Sequence, residues 1–210
     1  MKRRITAIAL VLLAAGCSRE GQVGQGGVYV TRSSCPQVGV PAATGDITLF
    51  NPANRTDAAA IDVSAAITNV RSTCDETGAN VISTVTFDVV ATRRDVAEAR
   101  SVVLPYFTVA MQGGTQVVAK HVGNVGLNFA AGSQRAQTSG QATVQIARGA
   151  ATLPEDVRKE LTRERRPTDP DAAIDPLSNP TIRDAVAKAT FEHLVGFQLT
   201  QEQLRYNATR

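Results

Sequence analysis

The 210-residue chain has no Trp, three Tyr and six Phe, so aromatics make up only 4% of it. That scarcity argues against a membrane-spanning β-barrel, whose outer face carries aromatic girdles at both bilayer interfaces. It also argues against carbohydrate sites, which usually present aromatic platforms. Histidine is nearly absent: His121 and His193 are the only two, far apart and without metal-ligand spacing. No Gly-x-Ser-x-Gly elbow and no Ser-x-x-Lys occurs, so neither common announcement of a nucleophilic serine is present. Long apolar runs are missing too. The most apolar stretch, Ile5 to Ala15, is far short of the roughly 20 residues of a stop-transfer helix.

What that stretch does have is the grammar of an export signal. Lys2, Arg3 and Arg4 form a positive n-region, Ile5–Ala15 an apolar h-region, and small residues lead into Cys17. The ending Leu13-Ala14-Ala15-Gly16-Cys17 resembles the lipobox of bacterial lipoprotein precursors, with Ala14 where Leu is commonest. The resemblance implies that residues 1–16 are removed as a signal peptide and that Cys17 carries the lipid. The alternative is an ordinary signal peptide cut near Ala15. Ser18 stands where inner-membrane retention typically uses Asp, so the resemblance also implies outer-membrane sorting, with the body facing the periplasm. Residues 18–210 resemble uncharacterised bacterial lipoproteins, a likeness that carries no function across.

Removing the leader changes the charge. The whole chain is +3, from 22 Lys and Arg against 19 Asp and Glu, and residues 1–16 hold Lys2, Arg3 and Arg4 with no acid. The mature part is therefore neutral. A nucleic-acid partner, which calls for a basic excess on the folded domain, drops out. Cys35 and Cys74 then remain as a pair, most simply a disulfide in an exported protein. Closing that loop would restrain the unfolded chain by about 4 kcal/mol. Two free thiols, an intermolecular bond or a redox role are the other readings.

Residues 17–27 read as the lipidated Cys and a Gly-rich tether, spanning roughly 17 Å when relaxed and about 35 Å when stretched. A single domain, residues 28–210, follows. Ile61, Val63, Ala65 and Ile67 alternate with polar or small residues, as do Val81, Ser83, Val85, Phe87 and Val89. The turn cluster Cys74–Asn80 between them predicts a long antiparallel hairpin. Gly113-Gly114 joins a second hairpin over 101–111 and 115–122, since glycine accepts the positive φ of a tight reversal. Further strands are expected at Val125–Phe129, Thr138–Ile146, Val28–Arg32, Gln37–Val40 and Asp46–Phe50. Pro105 predicts a bulged or edge strand. Seven or eight short strands without helical period before residue 152 predict a mainly β fold, an antiparallel β-sandwich.

The C-terminal part, 152–210, reads as two or three short helices packed on that sandwich. Thr152-x-x-Glu155 predicts a capping box opening a helix with Leu153, Val157 and Leu161 on one edge. Asn179 and Pro180 open a second helix, with Ile182, Ala185, Val186, Ala189, His193 and Leu194 on its apolar face. Thr200-x-x-Gln203 with a Leu199–Leu204 staple starts the last.

Candidate chemistry is sparse. His193 reads as a satisfied structural histidine and His121 as a solvated strand position. Asp169, Asp171 and Asp175 lack the central Gly and terminal bidentate Glu of a helix–loop–helix calcium site, and read as a polar linker. The cations Arg158, Lys159, Arg163, Arg165 and Arg166 interleave with Glu155, Asp156, Glu160 and Glu164, the pattern of a salt-bridged face, contact with anionic headgroups being the alternative. Phe191 falls opposite the stripe of its expected helix, with Val195 and Phe197 close by. Either the tail folds over it, or the three form an apolar patch for a partner. The sequence reading is thus a membrane-anchored, non-enzymatic lipoprotein acting as a protein-interaction or assembly module in the envelope, with no cofactor and no metal. The alternatives are a lipoprotein binding a small ligand or envelope polymer, and a hydrolase with dispersed carboxylates.

Overall fold

The structure, a computed structural model, describes residues 22–24, 27–29 and 33–209. Cys17 and the signal sequence lie outside the described residues. The first elements, β1 (Gln22–Gly24) and β2 (Gly27–Tyr29), pair as a small antiparallel hairpin with Val23 opposite Val28. Part of the expected tether is thus strand, because Gln-Val-Gly and Gly-Val-Tyr flank a two-residue gap.

The remaining strands are β3 (Gln37–Gly39), β4 (Asp46–Phe50), β5 (Ile61–Asp75), β6 (Asn80–Arg93), β7 (Arg100–Gln112), β8 (Gln116–Phe129), β9 (Arg135–Ala147) and β10 (Phe191–Phe197). They form two four-stranded sheets, ordered β4-β5-β6-β9 and β3-β10-β7-β8. The expected β-sandwich is the fold. Long hairpins β5–β6 and β7–β8 lie in opposite sheets, and the chain crosses between sheets at 94–99 and again at 130–134. Gly113 and Gly114 take φ of 62° and 74° in the β7–β8 turn, the conformation their sequence predicts. The stretches 115–122 and 125–129 are one continuous strand, β8.

Alternation along these strands builds the core. Val85, Phe87 and Val89 of β6 meet Leu104 of β7, Leu127 and Phe129 of β8, and Val195 and Phe197 of β10, all buried. Phe87 and Tyr106 touch edge to face across the two sheets, ring centres 5.2 Å apart.

One expectation about strands is corrected and another narrowed. β3 pairs with β10 in parallel, so one sheet is mixed rather than purely antiparallel. The Pro105 strand, β7, is the bulged rather than the edge alternative: it is an inner strand whose pairing with β8 shifts register between Ala110 and Met111. The Pro105 carbonyl accepts from Gln198 N, so its nitrogen faces the β10 side just beyond the last paired residues, Tyr106 and Phe197. No ladder donor toward β8 is lost there.

The helices are α1 (Glu155–Thr162), α2 (Pro180–Lys188) and α3 (Gln201–Thr209). Asn179 caps α2 by accepting from Thr181 N. Thr200 and Gln203 form the reciprocal capping box of α3. The box expected at Thr152 does not form. Pro154 takes the N-cap of α1, and the Thr152 hydroxyl instead donates to Arg148 O, closing the 3-10 turn before it. α3 packs beside β4, where Tyr206 meets the Phe50 ring edge to face and Asn207 Nδ2 donates to Ala43 O and Asp46 O.

Candidate functional site

Cys35 and Cys74 are bonded, Cα atoms 6.0 Å apart. The bond fastens the start of the body to the end of β5. Glu76 reinforces it by accepting from Ser34 N at 3.1 Å and from the hydroxyls of Ser33 and Ser34. Those bonds, led by the Ser34 hydroxyl, hold its carboxyl below the ordinary range.

The interaction patch expected at Phe191, Val195 and Phe197 is corrected. All three are buried, with Val195 and Phe197 at 0% exposure, in a strand between β3 and β7. The helical stripe stops at Lys188. Beyond it, apolar or large residues recur at every second position, 191, 193, 195 and 197, and β-prone Phe and Val fill the gap in the sheet. His193 therefore sits on β10, not on the helix, and points inward.

Its surroundings are the most polar feature of the core. His193 Nδ1 lies 2.9 Å from Ser83 Oγ on the opposite sheet, and Nε2 lies 2.7 Å from Thr108 Oγ1 on the neighbouring strand. Ser83, Thr108 and His193 are all buried, at 1%, 3% and 0% exposure. Burial pushes the imidazole down to about 4, so it is neutral at physiological pH, one nitrogen donating and the other accepting. A serine beside a histidine is the geometry of an activated nucleophile, but no substrate can reach this one. The trio fastens one sheet to the other.

A second buried group, Arg93 (3% exposed), does similar work at the far end. Its guanidinium donates to the carbonyls of Ser133, Glu98, Val96 and Ala130 and lies 5.1 Å over the Phe129 ring. It thereby clips together the crossings at 94–99 and 130–134.

The charged candidates are spent locally. Arg163 pairs with Glu160 and Asp171, Arg165 with Glu160, and Arg158 and Lys159 with Glu155, the salt-bridged face the sequence predicts. Asp169 accepts from Arg166 N, and Asp175 caps the turn at Leu177 N. Where carboxylates are displaced from their ordinary range they are displaced downward: Asp62 by Arg100, Asp88 by Asn69 and Ser139, Asp171 by Arg163.

Two surfaces remain. The first is an open groove of about 650 Å³ across the outside of the β4-β5-β6-β9 sheet, with Ser64, Ala66, Val90 and Thr92 as its floor. Asp46 stands at its β4 end, Arg135 and Gln137 at its β9 end.

The second is the free edge of β8. Residues 116–122 are exposed on both faces of the strand, and Val117, Val118 and Val122 are 56%, 44% and 52% exposed. Val103 on β7, at 64%, extends the patch on the outer face. Lys120 lies among these valines with its ammonium 5.5 Å over the Phe107 ring, and His121 is exposed beside it. A legible signal marks this region: no Asp or Glu occurs between Glu98 and Glu155, a stretch that includes β7, β8 and β9 and carries Arg100, Lys120, Arg135 and Arg148. Arg100 is paired with Asp62, and Arg148 donates to Glu76 O, whereas Lys120 and Arg135 have no carboxylate partner among the described residues. Neutrality of the whole mature chain conceals this segregation.

Fold and site define a two-sheet β-sandwich with an exposed, acid-free edge strand. The chain matches no protein-family model, no curated protein and no solved structure.

Proposed function

We propose that this protein is a lipid-anchored envelope lipoprotein, tethered to the membrane, on its periplasmic side, through Cys17, that serves as a non-enzymatic protein-interaction or assembly module. The observation that carries the reading is the β8 edge. An edge strand with unpaired backbone groups and exposed valines is a template for pairing, which proteins ordinarily blunt or cover. The interior supports the same reading. Its one histidine is committed to joining the sheets, and the displaced carboxylates are held ionised by arginines, amides and hydroxyls, the opposite of a general acid. The outer-membrane assignment rests on Ser18 alone.

A second reading, binding of a small ligand or envelope polymer, is favoured by the groove over Ser64, Ala66, Val90 and Thr92. Affinity capture of the tagged, lipidated protein after crosslinking in living cells separates the two, with Cys17→Ser as control. An envelope protein recovered with the wild type and lost with Cys17→Ser is the expected result. A correctly localised protein that crosslinks to nothing would refute the module and leave the groove.

A further inference from the structure

The bonding direction of β8 follows from its neighbour. Pro105 O accepts from Gln198 N, and Gly113 N donates to Thr190 O, so the odd-numbered residues of β7 face β10. Its even-numbered residues then face β8, where Leu104, Tyr106, Thr108 and Ala110 pair with Val125, Gly123, His121 and Ala119. The intervening residues Lys120, Val122 and Asn124 point their N–H and C=O groups outward, to no strand. Lys120 and Val122, spaced by two, also share the outer face; Val118 falls at the register shift, where Ala110 pairs with Ala119 and Met111 with Val117, and has no place in this alternation.

Building on the interaction-module reading, we infer that the β8 edge binds an extended segment of a partner protein, added as a further strand, in which an acidic residue stands two positions from a β-branched apolar residue. The acid meets Lys120 and the apolar residue meets Val122, and strand direction sets which of the two comes first in the partner. Charge decides against a second copy as occupant. Its own edge would bring another Lys120 and, from Glu98 to Glu155, no carboxylate to answer it.

The test is selection of random nine-residue peptides displayed against the folded protein, followed by amide exchange with a selected peptide added. Expected are sequences with an apolar residue two positions from an acid, in one order, and about tenfold or greater slowing of exchange at Lys120, Val122 and Asn124. Lys120→Glu should invert the selected charge to Lys or Arg. Val122→Pro should abolish binding while keeping the fold, since the lost N–H serves no ladder. Enrichment of acid-free sequences, protection elsewhere, or no enrichment would overturn the inference, as would a dimer in light scattering that Val122→Pro dissolves. An envelope partner captured through Cys17 that contacts another face would sink this inference and leave the module standing.

Discussion

Lowering the pH from 7.5 to 4.5 should destabilise the fold through His193 specifically. The unfolded side chain titrates near 6.5, the folded one at about 4 because burial disfavours the imidazolium. Between those values the unfolded chain takes up a proton that the native state refuses. Stability is therefore complete above pH 6.5 and falls as the pH drops toward 4. At about 1.4 kcal/mol per unit, the full gap corresponds to about 3 kcal/mol, with most of it lost by pH 4.5. Carboxylates held low by their partners, Asp62, Asp88 and Glu76 among them, give up their contribution as the pH falls below their ordinary values, and do so alike in wild type and variant. Urea unfolding at half-unit steps, wild type against His193→Gln, isolates the effect, because every other group is common to both. An extra slope of about 1.4 kcal/mol per pH unit in the wild type over the variant is expected. Equal slopes in the two proteins would refute the buried-histidine reasoning.

Other consequences can be measured on the same unfolding curves. Cys35→Ser with Cys74→Ser should cost about 4 kcal/mol by the loop-entropy argument, and reduction of the wild type should match it. Arg93→Met should cost about 3 kcal/mol, since the Ser133 and Glu98 carbonyls lose the guanidinium as donor while Val96 O and Ala130 O keep only Gly132 N and Ser133 N. An added Cβ at Gly123 would lie 2.7 Å from the Tyr106 ring, whereas one at Gly126 would meet nothing. Gly123→Ala should therefore cost about 1–3 kcal/mol, and Gly126→Ala should be near neutral.

Most of the sandwich was legible because one-sided strands announce themselves by alternation. The hairpins at 61–93 and 100–129 and the Gly113-Gly114 turn follow from local pattern and turn chemistry alone. β10 escaped because Ile182 to Leu194 fits a helical period as well as a strand that begins at Phe191, and only the vacancy between β3 and β7 decides. That misreading carried the patch with it: Phe191, Val195 and Phe197 looked unaccounted for on a helix and are core residues on a strand. His193 was legible as structural, while its bonds to Ser83 and Thr108 join residues too distant in sequence for any motif. The β8 edge was missed for another reason. Total charge balances in the mature chain, and only its distribution, with no acid from residue 99 to 154, sets this side apart.

Photocrosslinking in living cells tests the central claim most directly. A photoreactive residue at position 122, on the β8 edge, is compared with one at position 204, an exposed site on α3 beside β4. The account predicts a discrete adduct with an envelope protein from position 122, lost with Cys17→Ser, and none from 204. An adduct from 204 alone, or none from either site in correctly localised protein, would contradict it.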